Sequence, residues 1–281
     1  MKQKVEEVLD SLIVAHRIEE PDRFHFLLQI LESTKVLLLT ACIIALAVAG
    51  VMFLPQDITV SGQAVTEIEL PIYSVATAKA QVALTFDTTG GNEDIGGILK
   101  VLAAHGVKAT FFLTGRWVED YPETVKAIQE AGHDLGNHSE SHKSMNALPP
   151  PEIRDEILTL HNKVEELTGY EMFLFRPPYG EYDKEVIKGA YDNGYYPIQW
   201  NVDSLDWKDY GANAIIKEVC GSKQLECGAI IRCHTGTKYT LEALDAMLSG
   251  LKDMGFEVVA VSELIYRDNY YMNEEGRQML E

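Results

Sequence analysis

From Lys79 onward the chain alternates between two hydrophobic periods. Short apolar runs, "QVALTF" (81–86), "ATFFLT" (109–114), "HDLGN" (133–137), "FLFR" (173–176), "YYPIQWNV" (195–202), "GAIIRC" (228–233) and "FEVVAV" (256–261), read as buried strands. Between them lie stretches with apolar residues every third or fourth position, at 94–105, 122–131, 151–167, 183–193, 212–220 and 240–254, which read as amphipathic helices. Five helical patterns stop at a glycine, Gly106, Gly132, Gly169, Gly194 or Gly255, the residue that most easily takes the left-handed turn after a helix. Short apolar strands alternating with helices predict a parallel sheet under helical cover, doubly wound or closed as a (β/α) barrel. In either form functional side chains gather beyond the carboxyl ends of the strands.

The first quarter follows a different pattern. Residues 36–54 are nineteen uncharged, almost wholly apolar positions ending at Pro55. At about 1.5 Å per residue such a helix spans a hydrocarbon core of roughly 30 Å. The small residues Ala47-Val48-Ala49 fit a cleaved signal peptide, but the 35 mixed-charge residues ahead of the run favour a retained single-pass anchor. Lys2, Lys4, Arg17, Arg23 and Lys35 precede the run, and the next base is Lys79, so the N-terminus is expected in the cytosol and the remainder outside. Cleavage would make the protein secreted. The resulting division is a cytosolic extension (1–35), a transmembrane helix (36–54), a polar, β-prone stem (55–78), an α/β domain (79–266) and a C-terminal tail (267–281).

Charge narrows the partners. Forty-three acidic against 24 basic residues give a net charge of −19, which excludes a nucleic-acid binder reliant on a basic face. Of four cysteines, Cys42 lies in the apolar run, and Cys233 reads as a small buried hydrophobe. Cys220 and Cys227 flank a polar loop and suit either an extracellular disulfide or two thiols.

The chemically capable residues follow the strand-like runs. Asp87 follows "VALTF", His138 and His142 follow "HDLGN", Arg176 follows "FLF", Asp203 and Asp206 follow "IQWNV", and His234 follows "AIIRC". Histidines at i and i+4, as in "HSESH" (138–142), would share a helical face and could bind one ion. Arginine beside a carboxylate holds it ionised and oriented. Singly each element has a bland alternative, such as a rigid turn in "RPPYG", a solvated loop in "DSLDW" or a structural histidine at 234. Their common place at strand ends converges them on one mouth.

Taken in order, these residues resemble the polysaccharide deacetylase family, the NodB-homology domain of carbohydrate esterase family four, over 79–266. The resemblance rests on "TFD" (85–87), "HSESH" (138–142), "RPPYG" (176–180), "DSLDW" (203–207) and "IIRCH" (230–234). It implies a distorted (β/α) barrel and metal-dependent removal of N-acetyl groups from amino sugars. Asp87 matches the general base, His138 and His142 two metal ligands, and Arg176 the partner of the base. The Tyr179 backbone N–H matches the oxyanion donor, Asp206 the carboxylate that tunes the catalytic histidine, Trp207 a wall of the acetyl pocket, and His234 the general acid. The implied ion is divalent, zinc first, with cobalt or another divalent ion as alternatives. The implied substrate is an N-acetylated envelope glycan, peptidoglycan above all for a domain anchored near the wall.

Two positions depart from the family pattern. Thr88 stands where a metal-binding aspartate usually follows the base. Asp94, six residues on, could fold back to supply that carboxylate, or could simply cap the following helix. Arg232 stands where an apolar residue usually lines the acetyl pocket. The sequence therefore predicts a membrane-anchored de-N-acetylase, with a catalytically inactive glycan-binding or sporulation structural protein and an O-acetyl esterase as alternatives.

Overall fold

A computed structural model describes residues 70–281, which fall in a compact unit from Val65 to Glu281. The predicted membrane span 36–54, the extension before it and most of the stem lie outside the described residues. Among the described residues no helix is long and apolar enough to cross a membrane.

Strands β2 (Gln81–Thr88), β3 (Thr110–Leu113), β4 (Asp134–Asn137), β5 (Leu174–Phe175), β6 (Tyr196–Pro197), β7 (Val202–Asp203), β8 (Ile230–His234) and β9 (Glu257–Val259) form the main sheet. Its order is β6-β5-β4-β3-β2-β8-β7, with β9 on the first residues of β2, and every ladder is parallel. The connections carry α1 (Ile95–His105), α2 (Gly115–Asp120), α3 (Pro122–Glu130), α4 (Pro150–Thr168), α5 (Lys184–Asp192), α6 (Ala212–Cys220), α7 (Thr240–Asp253) and the short α8 (Val261–Leu264).

The two edge strands, β6 and β7, are consecutive in the chain. The link from Pro197 to Val202 reaches at most roughly 17 Å when extended, whereas seven flat strands would span nearly 30 Å. The sheet must therefore curl until its edges approach, which gives the distorted half-barrel. "YYPIQWNV", one strand by its pattern, breaks at Pro197, where a ladder donor is missing.

Curling divides the side chains of β2. Val82, Leu84 and Phe86 face the helices and join one apolar cluster with Phe111, Leu135 and Ile231. Ala83 faces the interior, packed with Phe112, Leu174, Ile198 and Ile230. By the two-residue alternation of a strand, Thr85 and Asp87 continue that interior face toward the carboxyl end. β8 does the same with Ile230, Arg232 and His234. Gly136 in β4 serves this interior: a Cβ there would lie 2.5 Å from the Phe112 ring.

The packed region extends at both ends beyond its expected limits. β1 (Ser74–Val75), from the expected stem, pairs with β11 (Arg277–Leu280), which pairs with β10 (Tyr270–Met272) in the expected tail. Ile72 and Val75 are wholly buried. Gln278, also buried, clamps Tyr266 by accepting its N–H at 2.7 Å and donating to its carbonyl at 2.7 Å. Cys220, Cys227 and Cys233 are free thiols, so the disulfide reading of the first two is not realised.

Candidate active site

Strand register makes the centre. Asp87 pairs with His234 across β2 and β8, and Thr85 with Arg232. Neighbouring strands lie about 4.8 Å apart, so Asp87 and His234 project side by side. The His234 Nε2 lies 3.9 Å from Asp87 Oδ2, and the His138 Nε2, arriving from the end of β4, lies 4.0 Å from the same oxygen.

Arg176 lies wholly buried under Asp87. Its Nη1 donates to Asp87 Oδ1 at 2.6 Å and to Thr85 Oγ1 at 2.9 Å, and its Nη2 donates to the Gln199 carbonyl at 3.1 Å. The guanidinium rests on the Phe112 ring, 4.1 Å from its centroid. Burial works against ionisation of Asp87, but the Arg176 guanidinium above all holds its carboxyl well below the usual carboxylate range. Asp87 is thus held as an ionised acceptor.

His234 has its own carboxylate. Its Nδ1 and its backbone N–H bond to the two oxygens of Asp206, each at 2.7 Å. Thr240, at the start of α7, adds its hydroxyl to Asp206 Oδ2 at 2.6 Å. Asp206 is completely buried, yet these bonds lower its pKa despite the burial. The arrangement fixes the imidazole with Nε2 facing Asp87.

The "HSESH" segment corrects one expectation. Its histidines do not share a helical face: Ser139 and His142 adopt left-handed backbone angles, φ 67° and 53°, within a tight turn. Asn137 Oδ1 accepts the Ser139 N–H at 3.0 Å, and Ser139 Oγ accepts the His142 N–H at 2.9 Å. Serine and asparagine favour such turns over a helix by bonding the local backbone. The turn still brings the two rings to a centroid distance of 4.9 Å. Glu156, from α4, anchors it by accepting from the Ser141 N–H at 2.8 Å and the Ser141 hydroxyl at 2.5 Å.

Both histidines are poised to stay neutral. The His138 Nδ1 faces the Arg176 carbonyl at 2.7 Å, which leaves the Nε2 lone pair free. Burial pushes the His138 pKa down to about 4, against the pull of Asp87, and burial also lowers that of His142. Two neutral imidazoles with one side open suit a divalent ion. A third protein ligand is not assembled: among the described residues no three His, Cys, Asp or Glu side chains gather for one ion. Thr88 is buried, with its hydroxyl 3.5 Å from the Phe86 carbonyl.

Asp94 stands at the cap of the following helix, but its carboxylate is engaged elsewhere. It occupies the N-cap position of α1 without a side-chain cap bond. Its Oδ2 instead accepts the Gly236 N–H at 2.8 Å, across to the loop after β8.

The mouth is aromatic. Tyr179 is 61% and Trp207 53% exposed. Tyr179 holds φ 61°, ψ 0°, an uncommon conformation for a tyrosine, with its ring 4.6 Å from that of His142. Arg232 does not lie free in the pocket. Its Nη2 bonds Asp203 at 2.7 Å, and its guanidinium stacks 3.6 Å over Trp200.

The residues that sequence reasoning passed over are partners: Thr85, Thr240, Gln199 and Glu156. Glu156 carried a signal, because it breaks the apolar stripe Ile153, Ile157, Leu160, Val164 on the buried face of α4. Gln199 pins the "RPPYG" turn by donating to the Gly180 carbonyl at 2.8 Å. It sits in an apolar run that gave no such cue.

A curled parallel sheet with this Asp, His, Arg and Asp–His set at its carboxyl end defines a polysaccharide deacetylase domain. The chain belongs to that family. The family profile described as polysaccharide deacetylase matches residues 74–198. A peptidoglycan-N-acetylglucosamine deacetylase of Bacillus cereus is 36% identical over 66% of this chain and 68% of its own length. The peptidoglycan-N-acetylmuramic acid deacetylase PdaA of Bacillus subtilis is 32% identical over 68% of this chain and 73% of its own. Among solved structures, a CE4 family pseudoenzyme from Bacillus anthracis superposes with a TM-score of 0.67 at 36% identity, covering 75% of this chain and 73% of that one. The chain spans 60% of the length of another Bacillus subtilis relative and 42% of one from Listeria monocytogenes.

Proposed function

We propose that this protein is a hydrolase that removes N-acetyl groups from amino sugars of a cell-envelope polysaccharide, with peptidoglycan as its substrate. The observation that carries the reading is the confrontation, at 3.9 Å, of Arg176-held Asp87 with Asp206-held His234. One group is an ionised base and the other is fixed to deliver a proton, which is what amide cleavage requires. The names of the Bacillus relatives support the substrate.

In the proposed reaction Asp87 takes the proton of the attacking water. The Tyr179 N–H, presented by its left-handed turn, donates to the oxygen that becomes negative in the tetrahedral intermediate. His234 then gives its Nε2 proton to the sugar nitrogen as the C–N bond breaks, so acetate and a free amine leave. Without that proton the nitrogen would depart as an amine anion, a very poor leaving group. Trp207 and Tyr179 border the acetyl group and sugar, and Arg232, tied to Asp203, sets the polarity of the pocket wall. His138 and His142 would hold a divalent ion, zinc by preference. When bound, such an ion supplies Lewis acidity toward the water and the acetyl carbonyl.

A second reading is favoured by one specific observation, the buried threonine at 88, together with the similarity to a pseudoenzyme. In that reading the fold binds glycan without turnover. Zinc-supplemented protein is assayed for acetate release from peptidoglycan and from O-acetylated xylan, with bound metal measured in parallel. The proposal expects release from peptidoglycan. Release only from xylan would make the protein an esterase, and glycan binding with neither metal nor acetate would favour the pseudoenzyme.

In each of these outcomes, Thr88→Asp should raise zinc affinity at least tenfold, because two imidazoles would gain a carboxylate. Unchanged affinity would mean that Thr88 does not border the ion.

A further inference from the structure

The segment from His234 to Thr240 carries the acid and is pinned at nearly every turn. Asp206 takes the His234 N–H and the Thr240 hydroxyl, and the Asp87 carbonyl takes the Thr235 N–H at 3.2 Å. A further pin is Asp94, whose Oδ2 takes the Gly236 N–H at 2.8 Å, 142 residues away in sequence. Around this bond the two loops pack backbone to backbone. Gly236 has φ 72°, and a Cβ on it would lie 3.1 Å from the Gly91 nitrogen and 3.5 Å from the Gly90 Cα. Glycine takes that φ without strain and leaves room for that approach.

Asp94 holds this place at a cost. It stands where a helix cap belongs and forms no side-chain cap bond. Its second oxygen, Oδ1, is buried without a partner, and burial raises its pKa. Buried polar atoms are rarely left unpaired, and departures of this kind concentrate where function demands them.

We infer that Asp94 is a positioning residue. By clasping Gly236 it locks the loop after β8 onto the glycine-rich loop after β2, and so fixes His234 against Asp87. The role in turnover rests on the de-N-acetylase reading; the clasp itself does not.

The test uses the full chain with Asp94→Ala and Asp94→Asn. Asparagine keeps a carbonyl oxygen able to accept the Gly236 N–H, whereas alanine keeps nothing. For Asp94→Ala, kcat should fall about 10- to 100-fold with KM within about twofold, as expected for a misplaced catalytic group. Asp94→Asn should stay within about threefold of wild type. Independently of turnover, amide hydrogen exchange at Gly236 should accelerate at least tenfold in Asp94→Ala and stay slow in Asp94→Asn. Bound zinc should be the same in all three proteins. Loss of zinc in Asp94→Ala with Gly236 still protected would make Asp94 a ligand and overturn the inference. Unchanged exchange and unchanged kcat would also overturn it. A wild type without turnover would defeat the enzymatic reading alone, and the exchange measurement would still decide the clasp.

Discussion

At the scale of single residues, the site depends on a fully buried guanidinium whose only carboxylate bond among the described residues is to Asp87. Removing one member of a buried pair leaves the other charge uncompensated. Asp87→Asn should therefore cost both chemistry and fold: kcat down at least 10³-fold, and stability down by about 3 kcal/mol, read by denaturant titration. A drop in activity with unchanged stability would mean that Arg176 is satisfied by Thr85 and the backbone carbonyls of residues 198 and 199. At this scale the sequence was highly legible. Asp87, His138, His142, Arg176, Asp206 and His234 all meet at one strand-end mouth, because the residue after a parallel strand must emerge there. Asp94 and Arg232 were less legible. Their tasks depend on contacts with Gly236, Asp203 and Trp200 that no local pattern announces.

At the scale of elements, the alternation of strand and helix and the glycine stops were visible in the pattern, and α1, α4 and α7 follow it closely. Two features were not. The "HSESH" turn looks helical by spacing, but serine and asparagine side chains capture its backbone, and Glu156 of α4 holds it from outside. Glu156→Ala should leave the Ser141 N–H and hydroxyl unpaired and loosen both imidazoles. Zinc affinity should fall about 10- to 100-fold, as when outer-shell partners of a metal site are removed, with helix content by circular dichroism unchanged. An unaltered zinc affinity would show that the turn stands without α4. The second feature is Gly136, which an apolar strand pattern would accept as alanine. Its Cβ would strike the Phe112 ring that supports Arg176. Gly136→Ala should destabilise the fold by about 1–3 kcal/mol. A neutral substitution would mean that Phe112 can shift without cost.

At the scale of the whole molecule, the curl joins residues remote in sequence, and it does so by a short link between its two edge strands. The hairpin of β10 and β11 escaped sequence reading because its strands are only three and four residues long and its partner, β1, is two. Buried histidines couple the fold to pH. His133 lies buried with its Nδ1 accepting the Ala109 N–H at 3.1 Å, and burial pushes its pKa down to about 4, as it does for His138. In the unfolded chain both take up a proton near pH 6.5, while in the folded chain they do so only near 4. Between these values the unfolded state binds more protons, so stability is full above pH 6.5 and is lost as pH falls toward 4. The slope in metal-free protein should approach about 1.4 kcal/mol per pH unit for each histidine, and His133→Gln should remove one such share. A pH-independent unfolding free energy over this window would contradict that account.

The central claim is that Asp87 and His234 form a working base and acid on an N-acetylated glycan. Acetate release from peptidoglycan by the zinc-supplemented full chain, set beside its Asp87→Asn variant, tests it most directly. The account predicts steady release by the wild type and at least a 10³-fold loss in the variant. No release by the wild type, or equal release by both, would contradict it.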